Sequence, residues 1–117
     1  MASDRVMFLS WDRPVPGREM AGMETFGQFT NWLGKQQTAG RIESFEPVLL
    51  DPHGEHLNGF VLVRGNYNNI AQLQNDEDYL NLITRGTYEM QGLAVYNGSV
   101  GTAFQQRMTR WQKVIRK

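Results

Sequence analysis

Apolar residues fall in two rhythms along this chain, and each rhythm marks a kind of element. In Gly59-Phe60-Val61-Leu62-Val63-Arg64-Gly65 they occupy both alternating faces of an extended run bracketed by glycines. Such a strand needs cover on both sides. Arg5 to Trp11 repeats the pattern, with Val6 and Phe8 on one face and Met7, Leu9 and Trp11 on the other, giving a second central strand. Asp12-Arg13-Pro14-Val15-Pro16-Gly17 then leaves the sheet near Asp12, because two prolines and a glycine do not continue a ladder. From Arg18 to about Thr38 the spacing of Met20, Met23, Phe26, Phe29 or Thr30, and Leu33 gives one helical stripe, with Trp32 beside it. Gly22, Gly27 and Gly34 weaken that helix, a loss best understood if its backbone lies close against the sheet. Gly40 ends it.

Ile42 to Leu50 carries Pro47, which assigns this strand to an edge. The hairpin that follows, Asp51-Pro52-His53-Gly54-Glu55, holds at its tip both histidines of the chain, His53 and His56. Tyr67 to Gln74 reads as a short helix with Ile70 and Leu73 inward. Asn75 caps a second segment, which has acids in its first turn and buries Tyr79, Leu82 and Ile83. Gly92 to Tyr96 is the last strand. Thr102 and Gln105 match a capping box, after which Phe104, Met108, Trp111 and Ile115 form the stripe of an amphipathic helix over 102–117.

A chain of 117 residues fits one domain, 1–117, with its core over 5–100. The formal net charge of zero gives no global reason to expect nucleic acid, but the charge is divided. Arg107, Arg110, Lys113, Arg116 and Lys117 close the chain with no acid among them, whereas residues 1–106 carry 7 basic and 12 acidic side chains. The absence of cysteine removes disulfide and thiolate chemistry. With neither a membrane-spanning run nor a signal-peptide pattern, the expected location is the cytoplasm, without a membrane partner.

Strand, helix, strand, strand, split helix, strand and an extra helix make an α+β chain of the βαββαβ ferredoxin-like arrangement, whose antiparallel sheet runs in the order 4-1-3-2. That order centres the two strands that are apolar on both faces and puts Pro47 at an edge. The surplus apolar face predicts a homodimer with sheet packed on sheet. Either Val6, Phe8, Phe60 and Leu62 or their neighbours of opposite parity would face the partner.

In Leu57-Asn58-Gly59-Phe60-Val61-Leu62-Val63, Asn75-Asp76-Glu77-Asp78-Tyr79 and Gly92-Leu93-Ala94-Val95-Tyr96, the chain resembles the dimeric α/β-barrel superfamily, which includes YciI-like proteins, EthD-like proteins and small cofactor-free monooxygenases. The resemblance implies a dimeric barrel and, by its monooxygenase branch, an internal cavity for an aromatic substrate and no cofactor. Two functions of that superfamily do not carry over. Haem-degrading members use a histidine of the second helical region, and residues 66–91 contain none. The YciI-like histidine and aspartate pair lies in the first half of the chain, where no histidine precedes His53.

At one end of the sheet this topology gathers Trp11, Asp12, His53, His56, Tyr88 and Glu89. A histidine beside Asp12 or Glu89 would serve as general base, with Trp11 and Tyr88 as an apolar wall for a ring-shaped ligand. The plainer reading makes both histidines solvated turn residues. His53-x-x-His56 supplies only two ligands on a loop, so no metal site is assigned. The opposite end collects Arg5, Arg41 and Arg64, which would hold a carboxylate or phosphate, or else pair with Asp4 and Glu43. Trp32 and the methionines of the first helix are read as core residues or as the wall of a ligand cavity between helix and sheet. Two functions follow: a homodimeric small-molecule-binding or oligomerisation module, or a cofactor-free monooxygenase or isomerase acting on a hydrophobic molecule. An enclosed pocket touched by Trp11 or Trp32 together with an ionisable residue would discriminate between them.

Overall fold

The computed structural model describes residues 3–115. In chain order the elements are β1 (Arg5–Trp11), β2 (Arg13–Pro14), α1 (Glu19–Thr38), β3 (Ser44–Leu49), β4 (Gly59–Gly65), α2 (Tyr67–Leu73), α3 (Glu77–Glu89), β5 (Met90–Gln91), β6 (Ala94–Ser99) and α4 (Gly101–Ile115). The fold is ferredoxin-like α+β. Its four-stranded antiparallel sheet has the order β3-β4-β1-β6, so the two doubly apolar strands are central and Pro47 lies on an edge.

The register settles the parity. Met7, Leu9, Val61 and Val63 are buried beneath the helices with Phe29, Leu33, Ile70 and Leu73. Their neighbours Val6, Phe8, Phe60 and Leu62 point to the other face. There the Phe8 ring lies 4.8 Å from that of Phe60 and 6.2 Å from that of Tyr96. On this face Val6, Phe8, Phe60 and Leu62 are half-buried and Tyr96 is exposed.

Helix α1 is rotated from the expected phase. It buries Gly22, Thr25, Phe29, Trp32 and Leu33, while Met20 and Met23 are exposed. Gly22 sits on the buried face, where a Cβ would stand 3.1 Å from Met90 Sδ, so the helix passes close to the Met90 side chain there. Gly27 and Gly34 have open space around them, and the close-approach reading does not extend to them.

Smaller differences lie at element ends. The cap of α3 is Asp76, whose side chain accepts from the Asp78 N–H at 2.9 Å, whereas Asn75 donates back to the Ala71 carbonyl and closes α2. Helix α4 opens at Gly101 (φ +54°), placing Thr102 inside the first turn instead of at the cap. The largest departure is the stripe of α4. Only Ala103 is buried, and Phe104, Met108, Trp111 and Ile115 are exposed, because the helix leaves β6 without lying across the body of its own chain.

The segment after β1 does leave the main sheet, then makes a second, two-residue ladder with β5. Around it Asp12 N–H donates to the Gln91 carbonyl and Val15 N–H to the Glu89 carbonyl, both at 2.9 Å. These bonds fasten the end of α3 to the end of β1.

Candidate functional site

The junction just described forms one wall of a cavity of about 480 Å³ between α1, α3 and the sheet. Leu9 and Trp11 of β1 form part of its sheet side, Phe26 and Phe29 of α1 and Leu82 of α3 the helical side, and Pro47 to Leu49 of edge strand β3 the margin. Met23, Phe26 and Leu49, all exposed, belong to the same lining, so residues that a hydrophobic pattern assigns to a core stand where a ligand would meet the protein. The volume lies within the range of small-molecule sites, which are typically apolar with a few placed polar groups.

The position of Trp11 is fixed by what lies under it. Gly59 is its register partner, and a Cβ there would come within 2.4 Å of Trp11 Cζ2. From the other side the Phe26 ring meets the indole edge-on at 5.3 Å. The indole thus forms a packed wall whose position requires a glycine in the adjacent strand.

Glu89 is the ionisable residue of the lining. It is 8% exposed, and its Oε1 is buried with no hydrogen-bond partner. Burying a carboxylate oxygen without a donor is costly, so this oxygen is an unsatisfied acceptor in a residue of the cavity wall. Its backbone is held by Val15, and the preceding residue is held by Arg18, whose Nη1 donates to the Tyr88 carbonyl at 3.0 Å.

Trp11 and Glu89 therefore meet in one cavity, while the other residues expected there do not join them. Trp32 is buried deeper, with ring centroids 6.1 Å from both Phe29 and Tyr79, and it does not line the cavity. Tyr88 is exposed because it lies on the outer side of α3, where the Arg18 guanidinium stacks 3.8 Å from its ring.

Asp12 and the histidines form a separate cluster outside the lining. Asp12 Oδ1 accepts from Asn58 Nδ2 at 2.8 Å and from Arg13 Nε at 3.3 Å, and Oδ2 stands 3.5 Å from His56 Nδ1. Burial pushes the Asp12 carboxyl up, but Arg13 and His56 together hold it below the usual aspartate value. The His56 side chain is 95% exposed and that of Asp12 16%, so the histidine stands in solvent over a largely covered carboxylate. His53 accepts from the Glu55 N–H at Nδ1 and bonds the Leu57 carbonyl through Nε2, which ties both ring nitrogens into the turn. Among the described residues no group of three His, Cys, Asp or Glu side chains is placed to hold a metal ion.

At the far end of the sheet the three arginines separate. Arg41 donates to Gln36 Oε1 at 2.7 Å and to Asp76 Oδ2 at 3.3 Å, and Arg64 pairs along the ladder with Val6 and Ser44. Arg5 lines a second cavity whose lining includes neither of them.

The sequence matches no family model, and no curated protein matches it. Solved structures do share the fold. A dimeric protein of unknown function and ferredoxin-like fold from Bacteroides fragilis superposes with a TM-score of 0.59 at 12% identity, covering 81% of this chain and 95% of that one. A hypothetical protein of Arabidopsis thaliana gives 0.64 at 8% identity, with 86% and 91% covered. SnoaB, a cofactor-independent oxygenase from Streptomyces nogalater, gives 0.54 at 12% identity, with 85% and 95% covered. These likenesses establish the ferredoxin-like fold. Among the described residues no helix is long and apolar enough to cross a membrane.

Proposed function

We propose that this protein binds a hydrophobic, ring-shaped small molecule in the cavity beneath α1 and α3, and that Glu89 accepts a hydrogen bond from the ligand's single polar group. The observation that carries the reading is the unpartnered Glu89 Oε1, buried in a lining that is otherwise almost wholly apolar. The Trp11 and Phe26 rings supply flat apolar surface for the ligand body. A phenol or a similar donor satisfies the oxygen, whereas an ether of the same shape leaves it orphaned and loses the corresponding free energy.

The working form is a homodimer, with the Phe8–Phe60–Tyr96 faces of two sheets packed together. The aromatic cluster left open on that face supports this, as does the dimeric state of the Bacteroides fragilis protein of the same fold.

Titration of 1-naphthol and 1-methoxynaphthalene into the full chain tests the binding reading. The phenol is expected to bind about tenfold more tightly than its ether, the effect of one hydrogen bond to a charged group. Glu89→Leu should remove the difference while keeping affinity for the ether. Equal affinities in the wild type would overturn the role given to Glu89.

A second reading rests on the same oxygen. A carboxylate facing an apolar cavity can take a proton from an acidic C–H or O–H of the ligand, leaving the electron pair on the ligand. Return of the proton to a different carbon is an isomerisation. Delivery of the electrons to dioxygen is a cofactor-free oxygenation, the class named for SnoaB. Glu89-dependent exchange of the α-protons of 2-tetralone for solvent deuterium supports this reading, and exchange at the buffer rate in wild type and Glu89→Gln alike leaves binding alone.

A further inference from the structure

At the opposite end of the sheet lies a second cavity, of about 340 Å³, where β1, α2, β6 and α4 converge. Its lining includes two arginines, Arg5 and Arg107, together with the polar side chains of Tyr67, Gln74, Asn97 and Ser99, and it contains no carboxylate. The two cations come from elements about a hundred residues apart in the chain. Arg5 lies at the start of β1 and Arg107 two turns into α4, a helix attached to the body chiefly through Ala103.

Arg5 is prepared for a ligand. Its guanidinium carbon stands 5.1 Å from the centroid of the Tyr67 ring, within cation–π range. Its Nε is buried and has no hydrogen-bond partner. Asp4 Oδ1 is the nearest anion, and at 3.7 Å it is an ion-pair neighbour too distant to accept a hydrogen bond. Beside it Gln74 and Asn97 exchange a reciprocal pair of amide hydrogen bonds at 2.7 and 2.9 Å, which link the end of α2 to β6.

We propose that this cavity is an oxyanion site, which takes the phosphate or carboxylate group of a small molecule between Arg5 and Arg107. A guanidinium offers a planar fork of donors that matches both groups, and two of them around one cavity supply charge and geometry together. Bound there, the anion bridges the sheet to α4. It lies at the other end of the fold from the apolar cavity, and nothing in its construction depends on that cavity's ligand.

The test is an NMR titration of the full chain with inorganic phosphate and with acetate at constant ionic strength, with chloride as reference. Saturable shifts at the backbone amides of Asn97 and Ser99 and at Arg5 Nε–H are expected for at least one of the two oxyanions, and the one that binds more tightly identifies the ligand group. Arg107→Gln should weaken that binding about tenfold, the worth of a charge-assisted hydrogen bond. Asp4→Asn should strengthen it by freeing Arg5. Arg110→Gln, on the same helix but outside the lining, should change nothing. Shifts that grow linearly without saturating, that chloride reproduces, or that survive Arg107→Gln unchanged would overturn the proposal. The Arg107 and Asp4 variants keep the test decisive should Arg5→Gln fail to fold.

Discussion

The indole of Trp11 occupies the space that a Cβ on Gly59 would need: the two would lie 2.4 Å apart at Cζ2. Real Cβ contacts do not come this close, and the atom in the way belongs to a packed ring, not to the free end of a flexible chain. Gly59→Ala is therefore expected to push Trp11 into the cavity, to cost about 1–3 kcal/mol of stability, and to abolish naphthol binding. Urea denaturation and a binding titration measure both. A stable variant with unaltered affinity would show that the Trp11 wall is not fixed by this contact.

Self-association is expected to fail when the open sheet face is charged. Phe60→Glu places a carboxylate beside Phe8 and, in a dimer, against the partner's apolar sheet, where an unpaired charge is costly. Equilibrium sedimentation should give a dimer for the wild type at micromolar concentration and a monomer for the variant. A monomeric wild type would remove the dimer from the account.

The exposed stripe of α4 calls for a cover as well, and a second copy of the chain suits it by charge. The helix carries Arg107, Arg110 and Lys113 with no acid, while residues 1–106 have an excess of acidic side chains. Phe104 and Trp111 are 48% and 64% exposed on the single chain. Burying one such side chain contributes roughly 1.5–3 kcal/mol. Truncation after Val100 is expected to weaken dimerisation and lower the melting temperature. If the shortened chain keeps both, α4 does not dock on the partner.

Tyr79 gives an alkaline signature. Burial pushes its phenol up to about 12, so the folded state holds the proton more tightly than the unfolded chain does. The associated stability is intact below about pH 10, the value of a free phenol, and is lost as the pH rises from there through the folded value. Tyr79→Phe should flatten that loss in urea denaturation between pH 9 and 12, and an equal slope in both proteins would contradict the burial of the hydroxyl.

Asp12 gives the acid counterpart. Its carboxyl is held below the usual value, so the stability it contributes is present above about pH 4 and disappears as the pH falls through its folded value. The stability gap between wild type and Asp12→Asn should accordingly close on acidification. A gap that is constant with pH would mean that the Asn58 and Arg13 bonds, and not the charge, are what Asp12 contributes.

The central strands were legible because Met7, Leu9, Val61 and Val63 alternate with a second apolar set, and only a central position satisfies both. That same equivalence hid the parity, which the helices decide by packing on one face. The phase of α1 was illegible for a related reason. Met20, Met23 and Phe26 make as regular a stripe as Gly22, Thr25 and Phe29, and the choice between them is made by packing against residues distant in the chain. Topology brought Trp11 and Glu89 to one end, but it did not separate the cavity from the Asp12–His56 pair outside its lining. Met23 lines the cavity, as one of the two readings of the first helix's methionines allowed, whereas Phe26 and Leu49 were the missed members of the lining, the first hidden in the apolar stripe of α1 and the second on edge strand β3. Arg107 could be matched to Arg5 only once the direction of α4 was known.

A crystal structure of the full chain with 1-naphthol tests the central claim most directly. The account expects the naphthyl rings against Trp11 and Phe26 and the hydroxyl oxygen about 2.5–3.0 Å from Glu89 Oε1, the length of a hydrogen bond to a carboxylate. Density in the cavity with the hydroxyl turned toward the Met23 and Leu49 side, or a ligand bound elsewhere with the cavity empty, would contradict it.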